Sequence, residues 1–236
     1  GGFVASTVAG VTSQMAAAAA AGLVALAFTA TVFERWLDRR RPQDASWTAA
    51  LLLFAVAAFA LLAGASAGWS AVPFKVFYAI GAVANVPILA LGTVYLMASR
   101  PVANRIAAVT VTLCAFAVGL VVASPITGEF VSGQLPQGSA VFGPGPRIAA
   151  AVASSVGALV IMVGSTVSAV RLFALGGAKD QGAWGNVSIV AGALVLSSGG
   201  VLNSVFDAMT GFAVTLVAGI VLIFAGALLA TGVKRS

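Results

Sequence analysis

The chain has 236 residues, 61% of them hydrophobic and 8% charged, with twelve basic and six acidic side chains, a formal charge of +6 and no histidine. Mean hydropathy is +1.09, so polar surface is too scarce to cover a water-soluble domain, and the basic residues gather at the ends of apolar runs, not in a patch. The expected partner is the lipid bilayer, and nucleic acid is excluded.

Seven apolar runs follow in order, each near the ~20 residues a helix needs to cross a hydrocarbon core. They cover Val11 to Phe33, Trp47 to Gly68, Val76 to Ala98, Val102 to Ala123, Ile148 to Val170, Val187 to Val205 and Ala208 to Gly232. Alanine, leucine and valine dominate, and the alternating pattern of barrel strands is missing. The expectation is an all-α integral membrane protein, a single domain over residues 1–236 with seven transmembrane helices.

The first run ends in "FERWLDRRRPQDASW", residues 33 to 47, which concentrates charge between two apolar segments. Arg35, Arg39, Arg40 and Arg41 are the expected topology determinants. Placing them inside also puts Arg100, Arg105, Arg171, Lys179, Lys234 and Arg235 inside, and leaves only Lys75 and Arg147 outside. By the positive-inside rule, the N-terminus is outside and the C-terminus cytoplasmic. Glu34 and Asp38 stand at helical spacing to partly neutralise the cluster, and Asp44 is assigned to the same cytoplasmic loop. Trp36, Trp47 and Trp184 mark the inner interface and Trp69 the outer one. An anionic-lipid site is the functional alternative for the three consecutive arginines. The opening residues lack a basic n-region, so no cleaved signal is read, and the first glycines are compatible with a processing remnant.

In the third run, Tyr78, Asn85 and Gly92 recur every seven residues with Gly81 nearby, which predicts one thin polar face; Pro87 frees a backbone carbonyl one turn earlier. Lys75 at its start and Asp207 between the sixth and seventh runs lie at the outer membrane edge. They are read either as snorkelling groups or an ion pair, or as charge at the mouth of a solute pathway. The sixth run carries Ser197, Ser198, Gly199, Gly200, Asn203 and Ser204, small and polar residues suited to close helix packing and interhelical hydrogen bonds. A pocket between the third and sixth helices, toward the outside, is therefore the candidate ligand site: Tyr78, Asn85, Ser197, Ser198 and Asn203, with Lys75 and Asp207 at its mouth. The single cysteine, Cys114, is read as a packing residue.

Residues 125–146, "PITGEFVSGQLPQGSAVFGPGP", form the longest connection, with four prolines and five glycines. This predicts an irregular outer loop, either a lid or docking surface or an exposed linker between two halves. The halves share a pattern: "TVFERWLDRRRPQDASW" and "TVSAVRLFALGGAKDQGAW" each place arginine at a helix exit, then a polar loop, then tryptophan. A 3+1+3 layout follows, with repeats at 11–98 and 148–232 and a connector helix at 102–123.

That layout resembles the architecture of SWEET-type sugar carriers, although Pro42-Gln43 and Pro136-Gln137 fall in loops here and Asn85 aligns with Ile220. "FERWLDRRRP", "FYAIGAVANVPILALGTVYL" and "LPQGSAVFG" resemble uncharacterised seven-span membrane proteins of actinobacteria. The resemblance covers most of the chain and implies a bacterial inner (cytoplasmic) membrane protein, but it carries no catalytic residues across.

Without histidine, the usual haem ligand, zinc ligand and general base are missing, and no phosphate-binding loop is present. A retinal pigment is excluded because the last run has no lysine before Lys234. No enzyme activity, cofactor or metal is expected. Two roles remain: binding or transport of a small solute or lipid, and an accessory or sensor subunit packed against a membrane-protein partner or a second copy.

Overall fold

The computed structural model describes the backbone of residues 2–131, 135–176, 181–206 and 209–230, and the side-chain surroundings of 15–131, 135–174, 184–196 and 214–229. Within them the chain is helical and has no strand. The helices are α1 (Gly2–Arg39), α2 (Pro42–Ala67), α3 (Ala71–Val76), a π-helical segment (Phe77–Ala84), α4 (Asn85–Met97), α5 (Arg100–Ala123), α6 (Gly138–Val141), α7 (Pro144–Gly176), α8 (Gln181–Phe206) and α9 (Met209–Ala230). Five apolar stretches are long enough to cross a bilayer: Met15–Arg39, Pro42–Ala67, Ala71–Met97, Arg100–Ala123 and Pro144–Ala174. Two shorter ones, Trp184–Leu196 and Val214–Leu229, lie in α8 and α9. The chain is thus a helical protein of the multi-pass membrane type. Each apolar run coincides with a helix, which commonly extends a few residues into the flanking polar sequence.

Around the bundle, α1 packs on α2, α2 on the third span (α3, the π segment and α4), the third span on α7, α7 on α8, α8 on α9, and α9 back on α1. Helix α5 stands outside this ring against the third span and α7, and exposes Val109, Leu113 and Phe116. In lipid, apolar burial offers little advantage over solvation by acyl chains, so contact depends on how closely helices fit. Alanine and glycine set that fit. Ala21 and Ala25 of α1, both 0% exposed, meet Ala55 and Ala58 of α2 in one cluster. Between α8 and α9, Gly192 lies opposite Gly219 and Gly185 opposite Gly226. A Cβ on Gly219 would stand 3.0 Å from the Gly192 carbonyl oxygen, and one on Gly226 2.5 Å from that of Gly185. Polar cross-links come from Ser188, whose Oγ donates to the Leu222 carbonyl at 2.9 Å, and from Asn186, whose Nδ2 donates to Ser168 Oγ at 3.1 Å. These precede the Ser197–Ser204 run singled out in the sequence, whose side chains lie outside the described residues.

The charged corner is ordered differently from the sequence reading. Asp44 is not a loop charge: it sits in the first turn of α2, 2% exposed, with Oδ1 2.7 Å from Arg35 Nη2. Among the described residues this is the one ion pair, so Glu34 and Asp38 do not neutralise the cluster by direct pairing. Arg35 also lies over the Trp47 ring, 5.8 Å from its centroid. The helix continues beyond Phe33 because Arg35, one turn from the apolar run, reaches a buried partner and does not need bulk water. Arg39, Arg40 and Arg41 remain exposed, as orientation signals require. Arg40 closes α1 in the left-handed region (φ 48°), its N–H bonded to the Trp36 carbonyl and its guanidinium 5.0 Å from the Trp36 ring centroid. Stacking there helps offset the backbone cost of a non-glycine αL residue.

Removing one member of a buried ion pair strands the other charge, at a typical cost of about 3–5 kcal/mol. Asp44→Ala is expected to lower the thermal midpoint in detergent sharply, and the double replacement Arg35→Met with Asp44→Leu to recover most of the loss. Equal midpoints for wild type and Asp44→Ala in a fluorescence-detected melting assay would contradict this role for the pair.

Candidate functional site

The third span is broken in its middle. From Phe77 to Ala84 it adopts π geometry, in which each N–H bonds five residues back; the N–H of Asn85 reaches the Ile80 carbonyl. The sequence supplies the cause. In this register the donor for the Ala82 carbonyl would be residue 87, and in the α register residue 87 would serve Val83, but residue 87 is proline and has no N–H. A donor from another helix replaces it: Ser154 Oγ of α7 bonds the Ala82 carbonyl at 2.5 Å. Its approach depends on Gly157, where a Cβ would stand 3.0 Å from both the Pro87 nitrogen and the Val86 carbonyl carbon. A bare α-carbon lets α7 lie against the third-span backbone, and the serine one turn earlier then reaches the carbonyl.

The widened turn also separates the polar residues predicted to share a face. Tyr78 turns toward the outer loop, its ring 5.2 Å from Phe142 and 5.7 Å from Phe74 by centroids. Gly92 faces Trp47 of α2. Asn85 turns into the bundle. The expected continuous polar face is therefore corrected, because the extra residue per π turn shifts everything after Ala84 around the helix relative to everything before it.

Asn85 borders a cavity of about 460 Å³, within the size range of small-molecule sites. Phe54, Ala57, Ala58 and Leu61 line it from α2, Phe77, Gly81, Ala82, Val86 and Leu89 from the third span, Ala158 and Ile161 from α7, Ala193 and Leu196 from α8, and Leu216 and Ile223 from α9. Polar side chains come from Asn85, Ser154 and Ser155. Asn85 is one residue past the midpoint of the Ala71–Met97 span. Its Oδ1 is buried and accepts no hydrogen bond among the described residues. Such an acceptor is costly at that depth, where no bulk water is at hand.

Of the residues proposed from sequence, Asn85 lines the cavity, and its neighbours from the sixth span are Ala193 and Leu196. Tyr78 and Lys75 are not among the lining residues. Lys75 is exposed at the outer end, its Nζ donating to the Val122 carbonyl at 2.7 Å, which caps the last turn of α5. Ser197, Ser198 and Asn203 belong to α8 with side chains outside the described residues, and Asp207 lies outside them entirely. Sequence reasoning missed Ser154, Ser155 and Phe54; two adjacent hydroxyls inside the Ala/Val-rich fifth run were the available signal.

The outer loop is packed, not an exposed linker. Thr127 bonds the Val141 carbonyl through its N–H at 2.9 Å and its hydroxyl at 3.1 Å. Val141 and Phe142 are buried with Phe74 and Val121, and Leu135 is buried with Ala18 and Leu61. Helix α7 begins inside the predicted loop at Pro144, since proline in a first turn gives up only an N–H that had no helical partner.

Among the described residues no group of histidine, cysteine, aspartate or glutamate is placed to hold a metal. Compared with known protein families, curated proteins and solved structures, the chain gives no match.

The two polar groups at the break make opposite predictions. Ser154→Ala removes the only side-chain donor to Ala82 and is expected to lower the thermal midpoint, equivalent to roughly 1 kcal/mol. Asn85→Leu replaces an unmatched buried acceptor by hydrocarbon of similar length and is expected to raise it. Melting curves of the purified variants decide; a destabilised Asn85→Leu would mean that the amide already holds the helices together.

Proposed function

We propose that the protein binds or transports a small solute or lipid in the cavity between the third and sixth spans, without enzymatic chemistry. One observation carries this reading: Asn85 presents an unmatched buried acceptor to a mid-span cavity beside a helix break. Irregular helices and unpaired polar groups at membrane depth are costly and concentrate at functional sites. Pockets between helices of a bundle, mostly apolar with a few polar groups, are also the usual form of small-molecule sites. The accessory-subunit reading draws on the exposed apolar face of α5, which a lipid-facing helix presents in any case.

The proposed setting is the bacterial cytoplasmic membrane, crossed seven times with the N-terminus outside. Supporting this, the arginines at the α1–α2 corner and Arg100 at the start of α5 occupy alternate helix ends from Lys75 and Arg147. The 3+1+3 layout is supported by neighbour order. Exchanging α1, α2 and the third span for α7, α8 and α9 turns every adjacency of the ring into another, while α5 stays outside as a connector.

Gentle purification from the native membrane followed by native mass spectrometry tests the role. The expected result is a chain carrying a retained small molecule that Asn85→Leu loses; a stoichiometric protein partner and no small molecule would favour the accessory role. Orientation is tested with Cys114→Ser as background. On intact cells, an impermeant maleimide is expected to label Ser139→Cys and to spare Ser99→Cys, both exposed positions; the reverse pattern would invert the topology.

A further inference from the structure

The cavity is unevenly lined, and its two kinds of wall constrain what fits. Phe54 and Leu61 of α2 and Leu216 and Ile223 of α9 present hydrocarbon, whereas Asn85, Ser154 and Ser155 gather where the third span meets α7. Hydrogen supply at this pole is short. Asn85 Oδ1 accepts nothing from the described residues, and Ser154 has already committed its hydroxyl hydrogen to the Ala82 carbonyl. A ligand that brings only acceptors would leave both oxygens unmatched. One that brings a hydrogen satisfies Asn85 directly.

Charge is constrained as well. Among the described residues, none that lines the cavity is ionisable, so a carboxylate, phosphate or ammonium would be buried with no countercharge. Volume adds a third limit. Filling about 460 Å³ to the packing density of a protein interior, ~0.74, takes on the order of 20 non-hydrogen atoms. Resting on the binding role proposed above, we infer that the ligand is an uncharged, mainly hydrocarbon molecule bearing one hydroxyl, with roughly fifteen to twenty carbons, in the class of isoprenoid or long-chain alcohols. Its hydroxyl donates to Asn85 Oδ1 and accepts from Ser155, and its chain lies along the Phe54, Leu61, Leu216 and Ile223 wall. The surrounding acyl chains offer that hydroxyl no partner at mid-span, so the Asn85 amide is what makes this depth favourable for an alcohol and not for a plain hydrocarbon.

Three probes sharing one chain separate the requirements: farnesol, farnesene, which lacks the hydroxyl, and farnesyl phosphate, which adds charge. Binding of each to the full chain in nanodiscs of neutral lipid is measured by equilibrium exchange of radiolabelled probe, with empty nanodiscs as the partition control. The expected result is saturable farnesol binding at one per chain, with farnesene and farnesyl phosphate at least tenfold weaker. Asn85→Leu should reduce farnesol to the farnesene level and leave farnesene unchanged. Ser155→Ala, which removes no backbone partner identified above, should weaken farnesol severalfold and provides a second readout should Asn85→Leu fold poorly. Farnesene or farnesyl phosphate binding as well as farnesol, or farnesol indifferent to both substitutions, would overturn the alcohol assignment while the binding role stands. No saturable binding of any probe would overturn both.

Discussion

A backbone inside lipid has to satisfy its own hydrogen bonds, and the third span does not manage this alone. Pro87 removes one donor in the middle of the membrane. The π turns from Phe77 to Ala84 shift the deficit to Ala82, and Ser154 of α7 makes it good from across the interface. Several other features follow. Gly157 has to be bare so that α7 can come close enough. The third span and α7 become obligate neighbours, which fixes two members of the ring. The widened turn rotates Asn85 away from the line of Tyr78 and into the bundle, and a cavity opens beside it.

The rest of the bundle holds that break in place. Lipid gives no hydrophobic incentive to pack, so the helices meet where side chains are smallest: alanines between α1 and α2, glycines facing glycines between α8 and α9. Where charge enters the protein it is paired, as in Arg35 with Asp44, and that pair ties the end of α1 to the start of α2. Trp47, beside the pair, lies on Gly92 of the third span, so the corner also anchors the far end of the broken helix. At the opposite end, the aromatic cluster of Trp69, Phe74, Tyr78, Phe130 and Phe142 seats the outer loop on the start of the same span. A helix with a weak centre is thereby clamped at both ends.

Much of the helical framework was legible in the sequence because hydropathy over ~20 residues is a strong signal. All seven runs fall on helices. Boundaries moved outward because polar residues such as Arg35 and Lys75 reach partners from inside a helix, which a charge count does not see. For the same reason Asp44 read as a loop charge: nothing in its local sequence shows that Arg35, nine residues earlier, folds back onto it. The site was half legible. Asn85 stood out as a polar group in an apolar run, and Pro87 announced a missing bond, but the seven-residue spacing of Tyr78, Asn85 and Gly92 assumes an unbroken α period. A π segment voids that assumption. Ser154 carries no periodic signal of its own; its significance is its distance to one carbonyl on another helix.

The cavity matters only if the Asn85 amide is held open for something other than the protein. A crystal structure of the protein, extracted with its native lipids and grown from a lipidic mesophase, tests this most directly. The expected result is a π segment at Phe77–Ala84, with non-protein density in the cavity and an atom of it within hydrogen-bond distance of Asn85 Oδ1. A regular α-helix through Pro87, or an Asn85 amide bonded to a side chain of α8 with the cavity closed, would contradict the account.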